Sequence, residues 1–140
     1  MPHVSVILPS WNRADWLKKS IDSVLEQTFR DFELIVVDDA STDSTQEILT
    51  SYSGKFRSIT FAKNLGVSAA RNAAVKNCDS EWIAFLDSDD FWHPHKLQKQ
   101  IAQTVIRAEC PIHFTDEIWI RNGVRVNPKK KASKTGGLDF

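Results

Sequence analysis

Asp87, Asp89 and Asp90 stand within four residues in the stretch WIAFLDSDDFWHP, directly after an apolar run. Taken alone, such residues end a strand and cap the next element, because Asp and Ser readily serve turns. Two carboxylates about 4 Å apart, however, repel by about 4 kcal/mol at an effective dielectric near 20, so something positive must neutralise them. Carboxylate oxygens are hard ligands. An incomplete set leaves positions for water and phosphate, which is the habit of Mg²⁺ and Mn²⁺ sites.

Competing chemistries fit less well. An EF-hand loop counted from Asp87 has Trp92 where glycine is needed and Gln98 where a bidentate Glu is needed. The aspartyl phosphatase type of site also ends an apolar strand in D-x-D, with the first Asp as nucleophile. In that family, by resemblance, the motif follows the first strand, with a small or β-branched residue two past the second Asp. Here Phe91 holds that place, after what reads as the fourth strand. His93 and His95 flank Pro94, but a His-x-His pair beside hard carboxylates matches a zinc site poorly, and both are read as the start of a helix. No glycine loop of the G-x-G-x-x-G or G-x-x-x-x-G-K-S/T type occurs. A bound diphosphate would therefore be held by a divalent ion at Asp89 rather than by backbone amides.

The elements that position these acids follow from periodicity. VSVILP (Val4 to Pro9), FELIVVDD (Phe32 to Asp39), SITFA (Ser58 to Ala62) and EWIAFLD (Glu81 to Asp87) read as strands, the first, second and fourth of them buried. Leu17, Ile21, Val24 and Leu25 form the stripe of an amphipathic helix with Asn12 as N-cap. STDSTQEIL opens a second helix, VSAARNAAVKN after Gly66 a third, and Pro94 a fourth carrying Leu97, Ile101 and Val105. Asn122-Gly123 marks a β-hairpin. Strands alternating with helices predict an α/β fold, a mostly parallel sheet flanked by helices, with a C-terminal hairpin. Ligands of such sheets sit beyond the carboxyl ends of the strands, where Pro9 to Asn12, Asp38 to Asp39 and Asp87 to Asp90 all fall. Asp38 is assigned to its loop, since adjacent strand residues point to opposite faces.

Composition sets the outer bounds. With 140 residues and 41% hydrophobic content, the chain supports one core. Eighteen basic residues balance eighteen acidic ones, so no global field argues for a nucleic acid partner. No run reaches membrane length and the N-terminus lacks a signal-peptide pattern. Cys78 and Cys110 show neither disulfide-framework nor zinc spacing, which points to reduced thiols and a cytoplasmic location. Trp16, Trp82 and Trp119 are expected in core or ribbon packing. The stretch 128–140, with its lysine run and two glycines, is expected to be loop or disordered.

Three stretches in order, VSVILPSWNRADWLKKSIDSVLEQTFRDFELIVVDDASTDST, NLGVSAARNAAV and WIAFLDSDDFWHPHKL, resemble the family-two inverting glycosyltransferases of the GT-A fold over roughly Val4 to Leu97. The resemblance implies a Rossmann-like nucleotide-sugar-binding domain over 1–127. It implies sugar transfer from a nucleotide-diphospho-sugar, often a UDP-sugar, with inversion, and Mg²⁺ or Mn²⁺ as cofactor. It assigns Asp39 to the nucleotide base, Pro9, Ser10, Trp11 and Asn12 to the loop under that base, and Arg71 to nucleotide contact. Trp11 stands where the family has tyrosine, and an indole face can stack on a pyrimidine equally well. Asp87 resembles the D-x-D residue nearer the ribose, Asp89 the metal ligand, and Asp90 a further donor-sugar or outer contact.

The family's catalytic base lies well past the D-x-D, so it is expected beyond Phe140. Asp116 and Glu117 come too early to serve. The chain is therefore expected to be a donor-binding half-domain that binds nucleotide and metal but transfers sugar poorly. Its acceptor would be a saccharide or lipid-linked saccharide, its place the cytoplasm with the inner membrane surface as a further option, and an apolar face left bare makes homodimerisation a hypothesis. The alternative is a non-catalytic nucleotide-binding or interaction module of the same fold.

Overall fold

The computed structural model describes residues 1–126; the stretch expected as loop or disordered tail lies outside them. The chain divides into two compact units, Met1–Gln98 and a second beginning at Lys99.

Four strands of the first unit, β1 (Val4–Ser10), β2 (Phe32–Asp38), β3 (Arg57–Thr60) and β4 (Trp82–Phe85), form one parallel sheet in the order β3-β2-β1-β4. Helices α1 (Ala14–Leu25), α2 (Thr45–Ser51) and α3 (Val67–Val75) connect them, and α4 begins at Lys96 and runs to Ile106. The chain steps outward from β1 to β3 and then returns to the far side of β1. With right-handed crossovers, that reversal puts α3 on the face opposite α1 and α2. It also opens a crevice between the C-terminal ends of β1 and β4.

Every residue of β1 is buried, as befits a central strand covered on both faces. Ile7, Ile35 and Val37 pack against Ala70 and Ala74 of α3, with Ile59, Phe61 and Cys78 around them. Small alanines let that helix lie close to the sheet. Strand alternation turns Val6, Leu8, Leu34 and Val36 to the other face, and the stripe Leu17, Ile21 and Val24 of α1 is likewise fully buried. Cys78 and Cys110 are free thiols.

Several local expectations change. β4 is an edge strand: Ile83 is 39% and Phe85 48% exposed, because among the described residues it pairs with β1 alone. Trp16, one position off the α1 stripe, is 52% exposed rather than packed, and Trp119 of the hairpin is also exposed. Asn12 is not the N-cap of α1. Arg13 holds that position, while the Asn12 side chain accepts the Thr42 N–H at 2.8 Å, and Asp43 of the same loop takes the helical amide of Ala14 at 3.0 Å. Helix α4 starts two residues after Pro94, whose carbonyl accepts the Thr28 N–H at 2.9 Å. In the second unit, β5 (Trp119–Arg121) and β6 (Val124–Val126) pair antiparallel around Asn122-Gly123, as the turn signal predicts, with both turn residues at positive φ.

Candidate functional site

A cavity of about 440 Å³ opens at the crevice between β1 and β4. Pro9, Ser10, Trp11, Asp39, Arg71, Asp87 and Asp89 all line it, so residues spread over eighty positions of sequence meet in one place. Asn12 and Asp90 do not line it. Asn12 serves the α1–α2 loop contact, and the Asp90 amide closes the turn onto the Asp87 carbonyl at 3.0 Å.

Asp39 follows β2 and is 3% exposed. Its two carboxylate oxygens accept the amides of Leu65 at 2.7 Å and Gly66 at 2.8 Å, at the entrance to α3. Gly66 has φ +88 and ψ 160, a conformation open essentially to glycine alone, and this turns both amides onto the carboxylate. A carboxylate offers about four lone-pair sites, so Asp39 can accept further bonds from a ligand. Asp38, fully buried, accepts the Ser41 amide at 3.1 Å and the Gln46 side-chain amide at 2.5 Å, the loop role assigned to it.

The positive partners demanded by the acids are two arginines. Arg71 Nη2 of α3 meets Asp87 Oδ1 at 2.6 Å, and Arg13 Nη2 at the head of α1 lies 3.8 Å from Asp89 Oδ2. Both pairs are about half exposed and open to the cavity. Ser10 Oγ and Arg71 Nε, by contrast, are buried without a hydrogen-bond partner. Thr45 Oγ1 of α2 is a third such atom, and Thr45 is not part of the cavity lining.

Sequence reasoning missed Arg13, Asn64, Gly66 and Ser88 as lining residues. Gly66 between a loop and a helix was the available signal; nothing local distinguishes Arg13 from any other basic residue near a helix start. His93 and His95 are tied into the loop, His95 Nδ1 standing 3.1 Å from Thr28 Oγ1. Glu117 accepts the Trp119 indole N–H at 3.1 Å within the second unit. A groove of similar size, about 460 Å³, lies at the opposite end of the sheet. Its acid, Glu33, is already paired with Arg57 at 3.1 Å, and no carboxylate cluster is present there.

The donor set suits a hard divalent cation in one specific way. Among the described residues no three His, Cys, Asp or Glu side chains converge as a cage. The turn instead offers the carboxylates of Asp87 and Asp89 at the rim of a cavity. Two hard oxygen groups that leave most positions to water and phosphate match Mg²⁺ or Mn²⁺ rather than a closed structural site.

A parallel sheet with a crevice at its switch point, flanked by helices and followed by a hairpin, is the GT-A type of α/β fold. The chain belongs to glycosyl transferase family 2, whose match spans residues 5–116. It is 42% identical over 100 residues to the Escherichia coli UDP-Glc:alpha-D-GlcNAc-diphosphoundecaprenol beta-1,3-glucosyltransferase WfgD, covering 71% of this chain and 40% of that protein. Among solved structures it resembles S. aureus TarS 1-349 in complex with UDP-GlcNAc, with TM-score 0.70 and 32% identity over 75% of this chain and 32% of that one. It also resembles the mannosyltransferase PcManGT of Pyrobaculum calidifontis in complex with GDP-Man and Mn²⁺, with TM-score 0.66 and 25% identity over 80% of this chain and 34% of that one. The chain thus spans less than half the length of these relatives. No helix among the described residues is long and apolar enough to cross a membrane.

Proposed function

We propose that this chain is the donor-binding part of an inverting glycosyltransferase that moves a sugar from a nucleoside-diphosphate sugar, a UDP-sugar foremost, to a hydroxyl of a saccharide or lipid-linked saccharide. One observation carries the reading: Asp39, Arg71, Asp87 and Asp89 converge on a single cavity. The UDP-Glc donor and diphosphoundecaprenol acceptor in the name of WfgD, and the UDP-GlcNAc complex of TarS, support the same donor and acceptor classes.

In this reading the half-exposed indole of Trp11 stacks on the base, with Pro9, Ser10 and Asn12 shaping the loop beneath it. Asp39 accepts a base N–H with lone pairs left over from its amide bonds. Arg71 contacts the nucleotide through the donors that Asp87 does not use, and Asp87 accepts a ribose hydroxyl. Asp89 holds Mg²⁺ or Mn²⁺, with Asp90 in the outer or donor-sugar environment, and the Mn²⁺ complex of PcManGT supports that class of cofactor. When bound, the cation neutralises charge on the departing diphosphate.

Transfer is a single displacement. The acceptor oxygen forms its bond to the anomeric carbon as the bond to the diphosphate oxygen breaks, which inverts the centre, and the acceptor proton passes to a carboxylate base. The cavity residues are committed to the donor, so the base lies outside them, and the isolated 140-residue chain binds nucleotide but turns over slowly. A cytoplasmic place at the membrane surface suits a lipid-linked acceptor. The half-bare Ile83 and Phe85 on edge strand β4 support self-association, which a concentration-independent monomer mass in light scattering would exclude.

Calorimetric titration of UDP, with and without Mn²⁺, tests the reading on this chain and on Asp89→Ala. Metal-enhanced binding lost in the variant is expected. Equal binding in both proteins under both conditions would sink the metal role of Asp89, and no binding to the unmutated chain would sink the nucleotide site.

A further inference from the structure

Helix α1 carries a polar set besides its apolar stripe. Ser20 and Ser23 in the helix, and Gln27 and Thr28 just past its last residue Leu25, all reach the backbone of the segment that carries the acids. Ser20 Oγ lies 3.0 Å from the Ser88 carbonyl and 2.6 Å from the Asp90 carbonyl, so the two carbonyls that flank Asp89 converge on one hydroxyl. Ser23 Oγ accepts the Trp92 amide at 3.1 Å. Gln27 Nε2 donates to the His93 carbonyl at 2.8 Å, and its Oε1 accepts the Leu97 amide at 2.9 Å.

Ser20 is 1% and Gln27 0% exposed. An apolar side chain at either place would avoid the desolvation of a polar group, so the benefit of Ser and Gln must lie in what they hold. What they hold is irregular backbone: from Leu86 to His95 the chain forms neither helix nor strand, and its amides and carbonyls need partners. Helix α1 and the residues just past its C-terminal end supply them, and Leu17, Ile21 and Val24 of the helix are fully buried.

We propose that Ser20 and Gln27 are positioning residues that set the placement of Asp87 and Asp89 through the loop backbone, and so tune metal-dependent nucleotide affinity without touching the ligand. A carboxylate pair held in place before binding avoids the ordering cost that a loose loop would add to the binding step. This inference rests on the nucleotide and metal reading above.

The test is UDP titration with Mn²⁺ and with EDTA, alongside urea unfolding, on the unmutated chain and on Ser20→Ala, Ser20→Thr and Gln27→Met. The readout is the factor by which Mn²⁺ improves UDP affinity. Ser20→Ala and Gln27→Met are expected to cut that factor at least fivefold, and Ser20→Thr, which keeps the hydroxyl, to retain it within twofold. Folded Ser20→Ala and Gln27→Met proteins with a lower urea midpoint but an unchanged factor would show a merely structural role and overturn the proposal. Should both buried variants fail to fold, Thr28→Ala at the exposed end of the set decides: a twofold or greater fall supports the proposal, and no change overturns it. An unmutated chain whose UDP affinity ignores Mn²⁺ would instead sink the underlying metal reading, and that result needs no variant to be seen.

Discussion

Arg71 on α3 and Asp87 after β4 meet at 2.6 Å across the cavity, and the pair spends only part of the arginine's capacity. Nη2 is engaged by the carboxylate, while Nε is buried without an acceptor and the guanidinium carbon sits 5.5 Å from the centre of the Phe85 ring. A planar cation held by a carboxylate and an aromatic face keeps further N–H donors for a second anion or polar group.

Arg71→Met separates the two roles of that pair. Its members are 36% and 53% exposed, so solvent screens it and its loss should change stability by about 0–1 kcal/mol. UDP affinity should fall tenfold or more, about 1.4 kcal/mol. Calorimetry and urea unfolding on the same preparation check both; a variant that binds UDP as the unmutated chain does would remove Arg71 from the nucleotide site.

Asp39 and Gly66 act together, so changes at either should cost stability before any ligand is present. Asp39→Asn replaces one acceptor oxygen with a donor facing an amide, at a cost of about 1–3 kcal/mol. At Gly66 an added Cβ would meet nothing within 4 Å, so Gly66→Ala suffers from backbone strain alone, again about 1–3 kcal/mol. Urea midpoints unchanged in both variants would mean that the loop before α3 does not hold this geometry.

Lys96 predicts an alkaline effect. Burial lowers its ammonium from 10.5 to about 8, while the Trp92 ring, 3.6 Å from Nζ, favours the charged form and offsets part of the cost. Between those two values the unfolded chain holds a proton that the folded chain has lost, so folded stability rises with pH across the window and the penalty is full below it. Relative to Lys96→Met, the unmutated chain should gain about 1–3 kcal/mol between pH 7.5 and 10.5. A pH-independent difference in urea stability between the two proteins would refute the shift.

The elements that place the acids were legible because their signals are local. Val4 to Pro9 and Phe32 to Asp39 are mostly apolar runs that end in turn residues or acids, and they became β1 and β2 within a residue of the expected ends. Leu17, Ile21 and Val24 repeat at the helical period and became the buried side of α1. Errors fell where a distant partner overrides a local preference. Asn12 is a good capping residue, but Ser41 and Thr42 claim it from another loop, and Pro94 is a good helix opener whose carbonyl instead answers Thr28.

The sequence by itself determined that strands and helices would alternate and that Asp39, Asp87 and Asp89 would stand at the carboxyl ends of strands, because hydrophobic period and turn chemistry act over a few neighbouring residues. Only the tertiary structure decided which charges and backbone groups those acids would meet. Arg13 faces Asp89 from 76 positions away, and Ser20 gathers the carbonyls of Ser88 and Asp90 from 68 and 70 away. Such pairings depend on strand order and on the face each helix covers, and these are settled when the whole core packs.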